Sequence, residues 1–225
     1  MKTKFILVMV FLMAFVSVAK ADTVDDYKKA CDSGDAKGCY NLGLLYDNKQ
    51  DAKAAADLYR KACDGGDAKG CYSLGTLYHS GQGVKEDYVA AADLYKKACD
   101  KGDAGGCGFL GGFYYKGQGV KQDYVVAADL FKKACDKGEA VGCSSLGASY
   151  ATGRGVKQDY FAAADLDKKA CDGGEAMGCV LLGYLYVGGH GVMQNTQKAL
   201  ELFEKSCDMR NQDGCNAYAK LKNRG

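Results

Sequence analysis

No proline and no tryptophan occur anywhere in this chain, and its only histidines are His79 and His190. A zinc site draws several His, Cys or Asp ligands, with cysteines commonly two to four residues apart. Two histidines and no such cysteine spacing argue against a metal centre, and no cofactor is expected. C-x-x-C is absent, which removes the usual dithiol redox motif, and so is the C-x-x-C-H of covalent haem. Charge of either sign is not in excess, with 30 basic residues against 28 acidic ones. That balance gives no electrostatic basis for binding nucleic acid or an anionic membrane. Beyond the N-terminus no apolar run is long enough to span a bilayer. The chain is instead rich in alanine, glycine and lysine, which suits helices joined by glycine turns and not strands.

Lys2 and Lys4 precede an unbroken apolar run from Phe5 to Phe15, and Ala19-Lys20-Ala21 follows as a small-x-small cleavage site. The pattern predicts a secretory signal peptide over residues 1–21, cut after Ala21. Its apolar run of about 14 residues is short of the ~20 that cross a membrane. Residues 22–225 are then the exported chain, periplasmic or secreted. Loss of Lys2, Lys4 and Lys20 leaves 27 basic residues facing 28 acidic ones. All twelve cysteines remain, and an even count in an exported chain reads as disulfides.

The cysteines fall in pairs, each C-x7-C: Cys31/Cys39, Cys63/Cys71, Cys99/Cys107, Cys135/Cys143, Cys171/Cys179 and Cys207/Cys215. Successive pairs begin 32, 36, 36, 36 and 36 residues apart. A fixed period in the thirties marks a helical solenoid, so the fold class is all-α. Each repeat reads as two helices. In the first, Cys71, Leu74, Gly75 and Tyr78 share one face at i, i+3, i+4 and i+7. A mid-helix glycine costs roughly 1 kcal/mol of propensity, so its recurrence as Gly43, Gly75, Gly111, Gly147 and Gly183 calls for a packing reason. A G-x-G-V loop follows, with Val84 as a buried plug. Asp87, Asp123, Asp159 and Asn195 are expected to cap the second helices. Gly102 is the expected C-terminal cap of one of them. The first repeat lacks this loop and carries Asp47-Asn48-Lys49-Gln50 instead. The organisation is a half-unit over 22–36, repeats of about 36 residues from 37 to 212, and a capping half-unit over 213–225.

Pairing within each C-x7-C is the one arrangement that treats every repeat alike, so six disulfides across the helix–helix corners are expected. Closing a loop of about nine residues stabilises by roughly 2.5 kcal/mol in the chain-entropy model. On this reading the cysteines are staples, and function lies elsewhere.

The motifs L-G-x-x-Y, G-x-G-V-x-x-D and A-A-D-L-Y-K-K-A-C together resemble the Sel1-like repeat, a relative of the tetratricopeptide repeat. With C-x7-C in every unit behind a signal peptide, the chain resembles the Helicobacter cysteine-rich proteins over nearly all of residues 22–225. The resemblance implies an exported right-handed α/α solenoid with one disulfide per unit. It also implies penicillin binding and slow β-lactamase activity, while Sel1-like repeats in general imply protein–protein interaction. The expected partner is a β-lactam or cell-wall-like small molecule, or an exported or host protein or peptide, bound by a monomer. A serine β-lactamase uses S-x-x-K, and the one instance, Ser17 to Lys20, lies in the leader. No catalytic residue can be named.

By analogy with tetratricopeptide-like solenoids, the first helix of each repeat lines the concave face. Positions one, five and eight after the second cysteine are then expected to face a ligand groove. They hold Tyr40, Leu44 and Asp47; Tyr72, Thr76 and His79; Gly108, Gly112 and Tyr115; Ser144, Ala148 and Ala151; and Val180, Tyr184 and Val187. Small residues in the third and fourth repeats predict a groove deepest there, rimmed by Tyr72, Tyr115 and Tyr184. Solvated drift on a helix face is the competing reading. His79 and His190 read as surface residues.

Overall fold

A computed structural model describes residues 23–48 and 50–223, which form helices joined by turns, bends and short irregular stretches. The leader expected over 1–21 lies outside the described residues. Helix α1 (residues 23–32) stands alone. Five pairs follow: α2 (Ala36–Asn48) with α3 (Ala52–Asp64), α4 (Ala68–Ser80) with α5 (Tyr88–Asp100), α6 (Ala104–Lys116) with α7 (Tyr124–Asp136), α8 (Ala140–Thr152) with α9 (Tyr160–Asp172), and α10 (Ala176–Gly188) with α11 (Thr196–Asp208). The final helix is α12 (Gln212–Lys222). The chain divides into two compact units, Met1–Leu94 and Tyr95–Gly225, with the division inside α5.

Caps fix the helix ends. Asp123 and Asp159 each accept two backbone N–H bonds at the starts of α7 and α9, and Asn195 accepts one from Lys198. Asp87 does the same for Val89 and Ala90. The first helices begin three residues before the second cysteine, most of them behind a capping side chain of their own, whereas Glu139 before α8 makes no such bond. Asp67 accepts from the Gly70 N–H at 2.7 Å and Asp103 from the Gly106 N–H at 2.6 Å. These carboxylates satisfy donors that a helix start otherwise leaves unpaired. The left-handed residue after the second helices lies one position beyond the last cap, at Gly66, Gly102, Gly138 and Gly174.

In the first unit, Cys31, Cys39, Leu42 and Ala62 form a core, with Val24, Tyr27, Tyr40, Tyr46 and Leu58 packed against it. The mid-helix glycine has its packing reason here. A Cβ on Gly43 would lie 2.7 Å from the ring of Tyr59, which is itself fully buried. In the second unit the same contact joins Gly111 to Phe131 at 2.7 Å and Gly183 to Phe203. In α3, α7 and α11 a ring of the second helix therefore packs over the glycine of the first helix. The core tyrosines Tyr114, Tyr150 and Tyr186 pack at the edges of these clusters. Val156 and Val192 pack there too, but they and Val84 are half-buried and not fully enclosed plugs.

The loops are anchored by their second glycine. Gly155 has φ +76°, and a Cβ there would overlap the Tyr124 carbonyl at the start of α7. Gly191 stands in the same relation to Tyr160 with φ +66°. Gly155→Ala combines a left-handed backbone with a backbone overlap, so it is expected to destabilise the protein by ~3 kcal/mol. A urea midpoint unchanged from wild type would contradict this account of the loop.

Candidate functional site

All six predicted cysteine pairs are bonded, with Cα–Cα separations of 4.4 to 4.6 Å. Each bond joins the end of one helix to the first turn of the next. Close approach at each corner depends on the residue preceding each cysteine. A Cβ on Gly70 would lie 2.6 Å from the Ala62 methyl, and Gly142 and Gly178 face Ala134 and Ala170 in the same way. In the last pair Ser206 replaces the alanine, and its hydroxyl donates to the Ala176 carbonyl at 2.9 Å. The first five corners are thus Ala-Cys facing Gly-Cys and the sixth Ser-Cys facing Gly-Cys, a pattern visible in the sequence beyond the cysteines alone. Disulfides of this number belong to oxidising compartments outside the cytosol. Among the described residues no helix is long and apolar enough to cross a membrane, and no group of three His, Cys, Asp or Glu side chains could hold a metal ion.

The residues expected to face a groove fall in both compact units. In the first, Tyr40 lies 5.9 Å from the Tyr59 ring, half-buried. Tyr59 donates its hydroxyl to the Asp47 carboxylate at 3.3 Å. Burial, and then Asp47, push the Tyr59 phenol well above its usual range. Tyr72, Thr76 and His79 are half-buried, Thr76 donating to the Tyr72 carbonyl and His79 resting 5.7 Å from the Tyr88 ring. His79, in the last turn of α4, therefore packs against the start of α5 and is not a free surface group.

In the second unit the expected positions divide. Gly108, Gly112, Tyr115, Ala148 and Ala151 keep partial exposure, and Tyr184 is 54% exposed. A Cβ on Gly112 would meet no atom within 4 Å. Ser144 and Val180 do not line an open surface: they are only 6% and 2% exposed. The Ser144 hydroxyl donates to the Val141 carbonyl at 3.0 Å, and Val180 packs with Ala199, Phe203 and Ala217. In these repeats the position directly after the cysteine is part of the core. Tyr115 is held by a neighbour that the sequence reading did not single out. Arg154, from a G-x-G-V loop, donates to the Tyr115 hydroxyl. Its guanidinium lies 5.7 Å from the centres of both the Tyr115 and Tyr124 rings. His190 takes the equivalent loop position and stacks on Tyr160 at 4.9 Å.

One further residue was also missed. Tyr59, Tyr95, Phe131 and Phe203 occupy one position of the second helix, and α9 has Asp167 there. Asp167 is 1% exposed and lies over Gly147 where the other repeats place a ring. Its Oδ1 has no hydrogen-bond partner. Burial alone pushes its carboxyl pKa up to about 8, because an uncompensated charge in an apolar setting is expensive. The substitution was legible in Ala164-Asp165-Leu166-Asp167-Lys168, read against the aromatic of its sister repeats.

Paired helices repeating with a 36-residue period, one disulfide at each corner, define an all-α repeat solenoid. Sel1 repeats are matched over residues 36–67, 68–103, 106–139, 140–175 and 176–211, most of the chain, which belongs to the Sel1 repeat family. Among solved structures it is similar to a protective antigen of uropathogenic Escherichia coli that has the SLR fold, at 33% identity and TM-score 0.80. That match covers 88% of this chain and 43% of the antigen, so the chain spans less than half of that relative. It is also similar to a Sel1 repeat protein of Oxalobacter formigenes, at 25% identity and TM-score 0.74, over 85% of this chain and 86% of the other. Cysteine-rich protein B of Helicobacter pylori matches at 34% identity over 59% of this chain and 96% of its own, with TM-score 0.47. No curated protein matches the sequence.

Proposed function

We propose that the protein is a disulfide-stapled scaffold of an oxidising compartment that binds a protein or peptide segment through the first-helix face of its second compact unit. The observation that carries this reading is α6, whose sequence holds five glycines. Gly106 and Gly111 are required by the close contacts of Ala98 and Phe131. Gly112 opens onto empty space, and Gly108 has only the Ala134 methyl at 3.8 Å. Each costs roughly 1 kcal/mol of helix stability with no packing contact in return. Bare helix backbone between Tyr115 and the exposed Phe109 suits close approach by another chain, with aromatics to grip it.

The β-lactam hydrolysis implied by family resemblance gains no residue set from Ser144, which is buried and donates its hydroxyl to the Val141 carbonyl. The test is selection of a displayed peptide library by the oxidised exported chain, with Gly112→Trp as the comparison. Wild type is expected to enrich a defined peptide family, and the variant to lose at least tenfold of that affinity while keeping its thermal midpoint. Equal enrichment by both proteins overturns the placement on α6. Saturable penicillin turnover abolished by reduction would overturn the scaffold reading.

A further inference from the structure

We propose that Asp167 is the floor of a receptor for a basic side chain, lysine or arginine, carried by the bound segment; the inference rests on the scaffold reading above. The position is built as a ring slot. In α3, α7 and α11 the slot over the first-helix glycine is filled by Tyr59, Phe131 and Phe203. The far sides of those rings meet Tyr40, Tyr115 and Tyr184, at 5.9, 6.5 and 5.1 Å between centres. Those three partners stand at positions one, eight and five after the second cysteine. In α8 these positions are Ser144, Ala151 and Ala148, so the fourth repeat has lost both the ring and the aromatic that meets it in the other three. What remains is a carboxyl where an aromatic would be, in a repeat whose matching positions hold two partly exposed alanines.

The carboxyl has no partner of its own. Oδ1 is enclosed and unbonded. The helices packed most closely on α9 are α8 and α10, and the titratable groups they carry are Tyr150, Tyr184 and Tyr186, with no cation among them; Lys205 of α11 reaches α9 at the exposed Asp172, 3.7 Å away. On α9 itself, Lys168 is paired with Asp172 at 2.6 Å, and Lys169 donates to the Cys135 carbonyl at 3.0 Å. Asp165 is exposed. No resident positive charge answers Asp167, and a cationic ligand is the complement that would let it ionise. A long, slender lysine or arginine stem also suits an approach past small residues such as Gly147, Ala148 and Ala151, where a polar head enters ahead of an apolar chain.

Binding of a cation must release the proton that Asp167 holds in the free protein. Affinity is then expected to rise about tenfold per pH unit between pH 6 and 8 and to level off above the carboxyl's own titration.

The experiment is the same library selection, run with wild type, Asp167→Asn and Gly112→Trp, followed by calorimetry of one selected peptide and its citrulline or norleucine counterpart at pH 6 and pH 8. Wild type is expected to enrich lysine or arginine at one fixed position. Asp167→Asn should keep the rest of the selected pattern and lose the basic preference at least tenfold. Proton release on binding, read in buffers of different ionisation heat, should accompany wild type only. Peptides selected without a basic residue, or an unchanged preference in Asp167→Asn, overturn this inference and leave the scaffold standing. Selection of nothing by wild type overturns both. Thermal midpoints of the variants separate lost binding from lost fold.

Discussion

Reduction and alkylation of all six disulfides is expected to leave a chain that no longer holds its helices at 37 °C. Each bond closes a segment with a sequence separation of only 8, worth roughly 2.5 kcal/mol, so six contribute on the order of 10 kcal/mol. That is the scale of an ordinary domain's whole stability. The apolar packing it supplements is thin: buried alanines such as Ala55, Ala91, Ala127, Ala163 and Ala199 supply much of the core. The bonds differ in access. Cys71, Cys107, Cys143 and Cys179 are at most 1% exposed, whereas Cys207 and Cys215 are both half-buried. Stepwise reduction followed by mass spectrometry should therefore show Cys207–Cys215 opening first. Retained helical circular dichroism in the fully alkylated chain would show that the packing suffices without the staples.

Asp167→Phe is expected to stabilise the protein at neutral pH and to flatten its pH dependence. Unfolded, the carboxyl titrates near 4; folded, burial raises it to about 8. The folded state thus holds its proton more tightly. The associated stability is complete below pH 4 and is lost as pH rises through 8. At most about 5 kcal/mol is at stake across that window. Phenylalanine removes the titration and restores the ring that Phe131 provides over Gly111 and Phe203 over Gly183, adding about 2 kcal/mol of burial. Wild type should accordingly melt higher at pH 5 than at pH 8, and the variant should show little difference. A wild-type midpoint that is flat between these values would mean that Asp167 finds a partner or reaches water.

The repeat, the two-helix unit, the corner disulfides and the second-helix caps were legible because each is a local rule applied at one period. Cys71, Leu74 and Gly75 share a face through helical geometry alone, and Asp123 caps α7 through its own backbone neighbours. The open face was legible only in part. Position one after the cysteine is half-buried at Tyr40 and Tyr72 but enclosed at Ser144 and Val180, since its cover comes from other helices, as Ala217 on α12 covers Val180. A periodic rule cannot carry that difference. Arg154 belonged to a loop and found Tyr115, 39 residues away, a distance no short-range pattern spans. Asp167 was different again: its oddity was in plain view, but only a position-by-position comparison of the second helices exposes it.

The corner bonds also decide what a protease can achieve. Lys101 and Lys137 lie between the cysteines of their pairs, so a cut after either leaves two fragments still tethered. Lys121 and Lys157 lie in the G-x-G-V loops, outside every staple, and a cut there sets the fragments free to part. The molecule is therefore a string of reinforced hinges separated by unprotected links. Its covalent continuity in a protease-rich setting rests on how well the glycine-anchored loops, and not the disulfides, are kept shut.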